Sequence, residues 1–206
     1  MATAEQRRDQ LVELYKEVRK CERCALHATR TQAVFGAGNA DADLMFVGEA
    51  PGQQEDLQGI PFVGRAGKLL DELLAENGLE RGDVFVANVL KSRPPGNRDP
   101  RPDEIEACKP YLFRQVELIE PTVICTLGNF ATKLLTGSQI GISRVHGVPQ
   151  VHTLGQRTVQ IFPIYHPAAG LRASSVKEIL REDFKRLPAL LEAGPPPQTN
   201  LFSPPA

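Results

Sequence analysis

Four short apolar runs, separated by segments with helical periodicity, constrain the fold of this chain more than any other feature. The middle two runs are continuously apolar, as expected of parallel strands covered on both faces. The runs predict strands at Leu44–Gly48, Asp83–Leu90, Thr122–Leu127 and Thr158–Tyr165. Strands that alternate with helices through short loops form parallel sheets with helices on both sides. The pattern predicts an α/β fold, a three-layer α/β/α sandwich with a central, mainly parallel four-stranded sheet.

The intervening segments predict the helices. Leu11, Leu14 and Val18 recur at helical spacing, which predicts a first helix over residues 4–20. Further helices are predicted over residues 66–77, 102–119, 129–135 and 174–193. Because 206 residues are ample for one α/β domain and short for two, we expect a single domain over residues 1–193. The proline-rich residues 194–206 are expected to form an extended or frayed tail.

Composition narrows the class of protein. With 41% hydrophobic and 24% charged residues, the chain is typical of soluble globular proteins. It shows neither a bilayer-spanning apolar stretch nor a signal peptide after Met1, so we expect a cytoplasmic location. The net charge of −1 gives no general attraction to nucleic acids, so any such affinity requires a local patch. The 17 prolines favour a heat-stable protein.

The four cysteines form a candidate metal centre. Cys21 and Cys24 make a C-x-x-C at the end of the first predicted helix, whereas Cys108 lies on a later helix and Cys125 on an apolar strand. In a reducing compartment this count favours a metal or cluster over disulfides, with inert buried cysteines as the ordinary alternative. Both zinc and an iron–sulfur cluster fit four thiolates, and the spacing mildly favours a cluster. Its expected role is structural, holding the first helix to the sheet.

Polar and aromatic residues gather where the predicted strands end. The segment Gly48-Glu49-Ala50-Pro51-Gly52 follows the first strand, Asn88 ends the second, His166 follows the last, and Phe62 lies in an intervening loop. Each has an ordinary structural explanation on its own. A parallel sheet, however, brings the carboxyl ends of its strands to one rim, where such folds bind ligands. We therefore expect these residues to form one pocket.

The chemistry of this set suits a planar heterocycle. An aromatic face, an amide with both donor and acceptor, and an imidazole can stack on a nucleobase and pair with it. The amide of Asn88 matches a base that carries a carbonyl beside a ring N–H. Basic residues nearby are candidates to neutralise flanking phosphates: Lys91, Arg93, Arg98 and Arg101.

These motifs together resemble the family 4 uracil-DNA glycosylases, which are iron–sulfur enzymes. The likeness is carried by Gly48–Gly52 with Glu55-Asp56, by Asn88 in Asn-Val-Leu-Lys, by His166-Pro-Ala-Ala and by the cysteines. It extends from Cys21 to about Leu190. It implies a DNA repair hydrolase of the base excision pathway, expected to act as a monomer on single- or double-stranded DNA.

The resemblance assigns roles to individual residues. It implies a [4Fe-4S] cluster on Cys21, Cys24, Cys108 and Cys125. It implies a flipped uracil that stacks on Phe62, is read by Asn88 and is cleaved with the help of His166, with the backbone of Gly48, Glu49 and Ala50 lining the pocket. Leu171 and Arg172 resemble the loop that enters DNA and fills the vacated space, and Lys91, Arg93 and Arg98 are the expected phosphate contacts.

One departure from the family 1 enzymes concerns the mechanism. Their first motif, Gly-Gln-Asp-Pro-Tyr, has an Asp that positions water and a Tyr that excludes the thymine methyl, whereas this chain has Ala50 and Gly52 there. Glu49 is the nearest carboxylate and a candidate catalytic residue for either task. Breadth of base specificity therefore stays open, and no lysine motif suggests strand cleavage through a Schiff base.

Two other classes of protein remain open at this point. A stapled domain that binds nucleic acid without chemistry, such as one attached to a polymerase, would release no free uracil. An electron carrier normally has closely spaced cysteines near the surface, whereas Cys125 belongs to an apolar strand.

Overall fold

The computed structural model describes residues 3–198 as one six-stranded mixed sheet with helices on both faces. The strands are β1 (Ala37–Gly38), β2 (Leu44–Gly48), β3 (Phe85–Asn88), β4 (Val123–Leu127), β5 (Gln150–Leu154) and β6 (Arg157–Ile164). Their order across the sheet is β1-β3-β2-β4-β6-β5. The α/β class follows directly from this arrangement.

The predicted sheet was too small. The four predicted strands form its parallel centre, β3-β2-β4-β6, in a register that aligns Phe46 with Cys125 and Cys125 with Phe162. Antiparallel strands β1 and β5 extend it at the two edges. Neither gives an apolar run, because β1 has two residues and β5 alternates half-buried with exposed side chains before a buried end. Six strands therefore replace the expected four.

Helices connect the strands. They are α1 (Ala4–Arg19), α2 (Gln53–Gln58), α3 (Arg65–Ala75), α4 (Pro102–Ile119), α5 (Asn129–Thr136), α6 (Ile142–Val145), α7 (Pro167–Gly170), α8 (Ser174–Phe184) and α9 (Leu187–Glu192). Short 3-10 helices occupy Ala25–Ala28 and Pro95–Asn97. The predicted helix over residues 174–193 is divided into α8 and α9, since Pro188 has no N–H to donate and its ring would clash with the carbonyl of Phe184 in a continuous helix.

Two apolar cores lie on opposite faces of the sheet. Alternate side chains of the strands point to opposite faces, so Met45 and Ile124 join one core while Phe46 and Cys125 join the other. The first core packs against α1, α4 and α5, and the second packs against α3, α8 and α9. This arrangement provides the three expected layers.

The end of the described chain contacts the start of β6. Gln198 exchanges two hydrogen bonds with the backbone of Thr158, at 3.0 and 2.9 Å. The rest of the predicted tail, residues 199–206, lies outside the described residues, and the domain boundary at residue 193 stays a prediction. Over residues 3–198, no helix is both long enough and apolar enough to span a bilayer.

Candidate functional site

A cavity of about 460 Å³ opens at the carboxyl ends of the central strands. Predicted site residues that line it are Glu49, Ala50, Phe62, Asn88, Arg98, His166 and Arg172, together with Glu55, which was not assigned a role. Its volume lies in the range of small-ligand sites. The structure thus brings the rim residues into one pocket, as the strand order predicts.

Gly48 allows two of these side chains to meet. It pairs with Asn88 across the neighbouring strands β2 and β3. A Cβ atom on Gly48 would lie 2.4 Å from Asn88 Oδ1 and 2.7 Å from Phe62 Cζ, which is closer than real Cβ atoms approach. The absence of a side chain at Gly48 therefore makes room for the amide and the ring.

Asn88 carries an unpartnered acceptor. Its side chain is only 2% exposed, and Oδ1 is among the buried polar atoms of the described residues that have no hydrogen-bond partner. Leaving a buried acceptor unpaired costs roughly 1–3 kcal/mol, so such atoms are uncommon and need an explanation. A ligand N–H in the cavity would supply the missing partner.

Phe62 is held in a strained conformation beside the pocket. Its φ is 54°, a left-handed value that non-glycine residues seldom adopt. The carboxylate of Glu55 accepts hydrogen bonds from the next two backbone N–H groups, Val63 at 3.0 Å and Gly64 at 2.9 Å. A Cβ on Gly67 would meet the carbonyl of Phe62 at 1.7 Å, so this glycine lets α3 approach the loop. These contacts fix the ring of Phe62.

His166 faces Phe62 as a neutral imidazole. The two ring centroids are 5.6 Å apart with planes inclined by 28°. His166 begins α7, and its Nδ1 accepts a hydrogen bond from the backbone N–H of Ala168 at 3.1 Å, which leaves the proton on Nε2. Burial, and to a smaller extent the charge of Arg172, lower the pKa of His166 to about 4, with Glu55 partly opposing both. His166 is therefore a hydrogen-bond donor at neutral pH.

Glu49 lines the cavity as a half-buried carboxylate. Burial raises the pKa of Glu49, and the neighbouring Asp99 adds to this effect. The backbone carbonyl of Glu49 accepts from the N–H of Leu90 at 3.0 Å, which ties the first loop to the end of β3. The side chain of Glu49 thus lies in the pocket. It is the one acid in the segment Gly48–Gly52, because Ala50 replaces the Asp of the family 1 motif.

The predicted phosphate contact through Lys91 is wrong. Its side chain is 2% exposed, and Nζ donates to the carbonyl of Asn88 at 2.9 Å and to Oε1 of Gln115 at 2.6 Å. Burial lowers the pKa of Lys91 to about 7. A buried amine with both partners inside the protein cannot reach a phosphate, so its contribution is to anchor the end of β3.

The remaining basic residues differ in availability. Arg98 lines the cavity but its guanidinium pairs with both carboxylate oxygens of the buried Glu104, at the start of α4. Arg93 donates to the side chain of Asn97 at 2.6 Å. Leu171 and Arg172 are exposed just after α7, and Leu171 is one of the large apolar side chains at the surface, 39% exposed. The segment at the end of α7 therefore offers both an apolar side chain and a cation beside the pocket.

Three of the four cysteines lie together, and we call Cys21, Cys24 and Cys108 the thiol group. All three pack in or against the first core, at the end of α1 and on the facing side of α4. Burial raises the pKa of the Cys108 thiol, and the nearby Cys24 and Cys21 raise it further. The hydroxyl of Tyr111, one turn along α4, hydrogen-bonds Cys21, which together with burial raises the pKa of Tyr111.

Cys125 is not part of this group. Its side chain is fully buried in the second core, on the face of β4 that carries Phe46 and Phe162 on the adjacent strands. Because Cys108 belongs to the first core, the sheet itself separates the two thiols. The predicted set of four cysteines is therefore not assembled, since strand alternation points Cys125 to the opposite face.

Two contributors to the site escaped sequence reasoning. Glu55 was noted only as part of an acidic pair, although its position three residues after Gly52 in α2 aims it at the Phe62 loop. Ser92, between Lys91 and Arg93, was assigned no role, whereas it is 3% exposed and follows Lys91, whose backbone N–H donates to Cys108 Sγ. Both residues matter because of what lies near them in the folded protein, and no local sequence signal reveals such proximity.

Comparison with known families agrees with this site. The profile of the uracil DNA glycosylase superfamily matches residues 35–187, which span every strand and the whole pocket. The chain belongs to this superfamily.

Individual relatives place it within the superfamily. It is 48% identical over 185 residues to a type-4 uracil-DNA glycosylase of Sulfurisphaera tokodaii, covering 87% of this chain and 84% of the relative. It is 48% identical over 184 residues to the type-4 enzyme of Archaeoglobus fulgidus, covering 87% and 92%. A DNA polymerase of Bacillus phage SP01 is 32% identical over 169 residues, 82% of this chain but 18% of the polymerase. The type-4 uracil-DNA glycosylases are thus the group to which this chain belongs.

Proposed function

We propose that this protein removes uracil from DNA by hydrolysing its N-glycosidic bond, releasing the free base and leaving an abasic site. The observation that carries the proposal is the buried, unpartnered Oδ1 of Asn88 in a cavity walled by Phe62 and His166. Membership of the glycosylase superfamily supports it independently. Because a base stacked in a duplex cannot enter a protein cavity, the target nucleotide must leave the duplex.

Asn88 is the proposed reader of the base. Its free Oδ1 accepts from the N3–H of uracil, and its amide N–H₂ donates to the adjacent carbonyl. Cytosine presents an acceptor at N3 and an amine at C4, so both contacts would fail. A buried amide left unpaired by the wrong base loses far more binding energy than a hydrophobic mismatch does.

His166 is the proposed catalytic residue for leaving-group stabilisation. Cleavage builds negative charge on the departing uracil and positive charge on the sugar. The neutral ring donates through Nε2–H to the uracil carbonyl on which charge accumulates, while the Ala168 N–H holds Nδ1 in place. Donors fixed before the reaction commonly supply the largest share of catalysis. Glu49, also in the pocket, is proposed to stabilise the sugar cation or orient the attacking water.

The reaction is proposed to stop at base release. Strand cleavage by bifunctional glycosylases requires a nucleophilic amine at the sugar. Lys91 is the lysine at the end of β3, and its Nζ is bound to Asn88 and Gln115 inside the protein. The arrangement supports monofunctional chemistry.

The DNA is proposed to lie across the mouth of the cavity. Arg172 and Arg93 are proposed to contact phosphates, and the exposed Leu171 is proposed to fill the space that the flipped base leaves. We propose that a monomer acts on single- or double-stranded DNA, in the cytoplasm where bacterial and archaeal DNA resides. Arg98 has a smaller share, because Glu104 already neutralises it.

The thiol group fits an iron–sulfur cofactor in part. Its three thiols are free; Cys108 is buried in α4, and the partly buried Cys21 and Cys24, which follow α1, pack against the same core. Over residues 3–198, no three His, Cys, Asp or Glu side chains are close enough to hold a single metal ion, and a cluster spaces its sulfur ligands more widely. We propose a [4Fe-4S] cluster that joins α1 to α4 and couples cofactor binding to folding. The cluster supplies cohesion between elements, and the base chemistry is carried by the pocket residues.

A glycosylase assay tests the function. Oligonucleotides with a single uracil, cytosine or thymine are incubated with the wild-type protein and with Asn88→Asp, and free base and alkali-sensitive sites are measured. We expect uracil release by the wild type and weakened discrimination in the variant, which has lost the N–H₂ donor. If the wild type binds the uracil strand without releasing base, the protein is a binding module; if Asn88→Asp keeps full uracil preference, Asn88 is not the reader.

A further inference from the structure

We propose that the hydroxyl oxygen of Ser92 is the fourth protein ligand of the iron–sulfur cluster, beside the thiol group. The inference rests on the cofactor proposed above and concerns how this chain holds it. A four-iron cluster has four corner irons, each of which takes one protein ligand. Three thiols leave one corner without a cysteine, and the sheet keeps Cys125 on its far side.

Ser92 is placed beside the thiol group by two sets of contacts. The backbone N–H of Lys91, the preceding residue, donates to Cys108 Sγ at 3.4 Å. From the other side, Arg30 Nη1 donates to Ser92 Oγ at 3.1 Å while its Nη2 donates to the carbonyl of Arg19 at 3.1 Å, two residues before Cys21. The hydroxyl therefore lies between the end of α1 and the cysteine of α4. With 3% exposure, it is removed from competing water.

Three other described polar groups near the thiol group are already engaged. Both carboxylate oxygens of Glu104 pair with Arg98. The ring of His27 is exposed and its Nδ1 is bonded to the carbonyl of Cys24. The hydroxyl of Tyr111 hydrogen-bonds the sulfur of Cys21, which makes it a partner of a ligand and not a separate ligand. Ser92 is left as the group that can complete the set.

Coordination by Ser92 is a simple exchange. The Oγ–H group would lose its proton to solvent, and the resulting alkoxide would bind the fourth iron in place of a departing solvent ligand, with no change in oxidation state. The guanidinium of Arg30, already 3.1 Å from Oγ, balances the new negative charge. An oxygen ligand is a poorer match for iron–sulfur iron than a thiolate, so this corner is expected to be the one lost first.

Cofactor analysis of the whole chain tests the assignment. Wild-type protein and Ser92→Ala are reconstituted with iron and sulfide under anaerobic conditions, and iron and sulfide are counted per chain. We expect the variant to fall from four irons to three and, after exposure to air, to show the paramagnetic signal of an oxidised three-iron cluster sooner than the wild type. An unchanged iron count and unchanged signal in Ser92→Ala would overturn the proposal.

Three further variants sharpen the result. Ser92→Cys should keep four irons and lose its visible absorbance in air more slowly than the wild type; loss of the cluster there would contradict the assignment even if Ser92→Ala failed to fold. Cys125→Ala and Tyr111→Phe should keep four irons. A drop to three irons in either of them, with Ser92→Ala intact, would transfer the role to that residue.

The cofactor and the activity fail separately in this design. Iron and sulfide are counted without DNA, whereas uracil release is measured on an oligonucleotide. Wild-type protein that takes up no iron or sulfide would overturn the ligand assignment and the proposed cluster while leaving uracil release to be judged on its own. Protein with four irons that releases no uracil would overturn the proposed function and leave the role of Ser92 intact.

Discussion

His166 and Asn88 are the two fixed polar groups of the proposed base site, and both line the same cavity. Asn88 is held by strand pairing at the end of β3, and His166 by its backbone hydrogen bond at the start of α7. Neither has to reorganise when a base arrives, and preorganisation of this kind is what makes donors effective in a dry site. Phe62, which also lines the cavity, is the proposed stacking surface for the base.

Replacement of His166 by alanine should lower turnover much more than affinity. The donor to the departing uracil is lost, and removal of one such donor commonly lowers the rate by about 10²–10³. Single-turnover rates and binding constants for uracil-containing DNA measure the two effects separately. His166→Gln, which retains an N–H donor, is the matched variant and should recover part of the rate. Unchanged turnover in His166→Ala would exclude its catalytic role.

The low pKa of His166 also predicts how stability depends on pH. Unfolded histidine binds a proton below about 6.5, whereas the folded side chain binds one only below about 4. Between these values the unfolded chain binds more protons, so the free energy of unfolding falls as the pH drops, by roughly 3 kcal/mol at most. Below about pH 4 both states are protonated and the effect is complete.

Denaturant unfolding at several pH values, between about 7 and 4, measures this difference. In His166→Gln the side chain at position 166 does not titrate in this window, so this variant serves as the reference. The stability difference between wild type and variant should shrink steadily as the pH is lowered. Parallel curves across the window would show that His166 is not held neutral by the fold.

At the scale of elements, the loop between α2 and α3 depends on one carboxylate. Glu55 of α2 bonds the two N–H groups that follow Phe62, at the N-terminus of α3. It satisfies donors that the helix start leaves free and holds the left-handed turn at Phe62. Glu55 of α2 thereby positions Phe62, which lies in the loop between α2 and α3.

Glu55→Ala should therefore reduce both stability and excision. Two charge-assisted hydrogen bonds are lost, which we expect to cost about 2–4 kcal/mol in the free energy of unfolding. Because Phe62 is no longer fixed, affinity for uracil-containing DNA should fall as well. Glu55→Gln keeps one acceptor and should recover part of both. Denaturant unfolding and single-turnover excision are the measurements, and loss of stability with full excision would show that Glu55 does not position the ring.

The short α7 and the residues after it form the second element with a separate task. Leu171 projects an apolar side chain from the surface directly after the helix that His166 begins. An apolar side chain that inserts between base pairs compensates for lost base stacking, so it matters only where the DNA bases are stacked in a duplex. Leu171→Ala should therefore slow excision from double-stranded DNA several-fold more than from single-stranded DNA. Equal losses on both substrates would argue against insertion into the duplex.

Most of the elements were predictable, but their side-chain directions were less so. Strand β2 was predicted with its observed bounds, and α4 likewise, because their apolar runs and helix-start signals are local. Cys125 was predicted in the correct strand, but the sequence did not predict which face of the sheet it occupies, since this depends on the register with β2 and β6. Lys91 was misjudged for a similar reason: the partners that bury its amine are a backbone carbonyl and a residue of α4.

For the whole molecule, weak net charge predicts a modest salt dependence of DNA binding. The net charge is −1, Lys91 is buried, and Arg98 is paired with Glu104. Few of the predicted phosphate contacts are therefore left to release counterions from DNA. Each phosphate contact contributes about −0.9 to the slope of log K against log salt, so we expect a total of about −2 to −3. Arg172→Ala should reduce that slope by about one contact. Lys16→Ala, which removes a cation paired with Glu13 on α1, should leave it unchanged.

The stretch from Asn88 to Ser92 connects two places that otherwise belong to different parts of the molecule. At one end lies the amide that reads the base, and at the other the backbone that bonds Cys108 and the hydroxyl held by Arg30. Between them, Lys91 fastens the same stretch to Asn88 and to α4. Five residues of chain are too short to absorb a displacement by slack. Loss of iron from the proposed cluster is therefore expected to disturb the position of Asn88, the residue proposed to recognise the base.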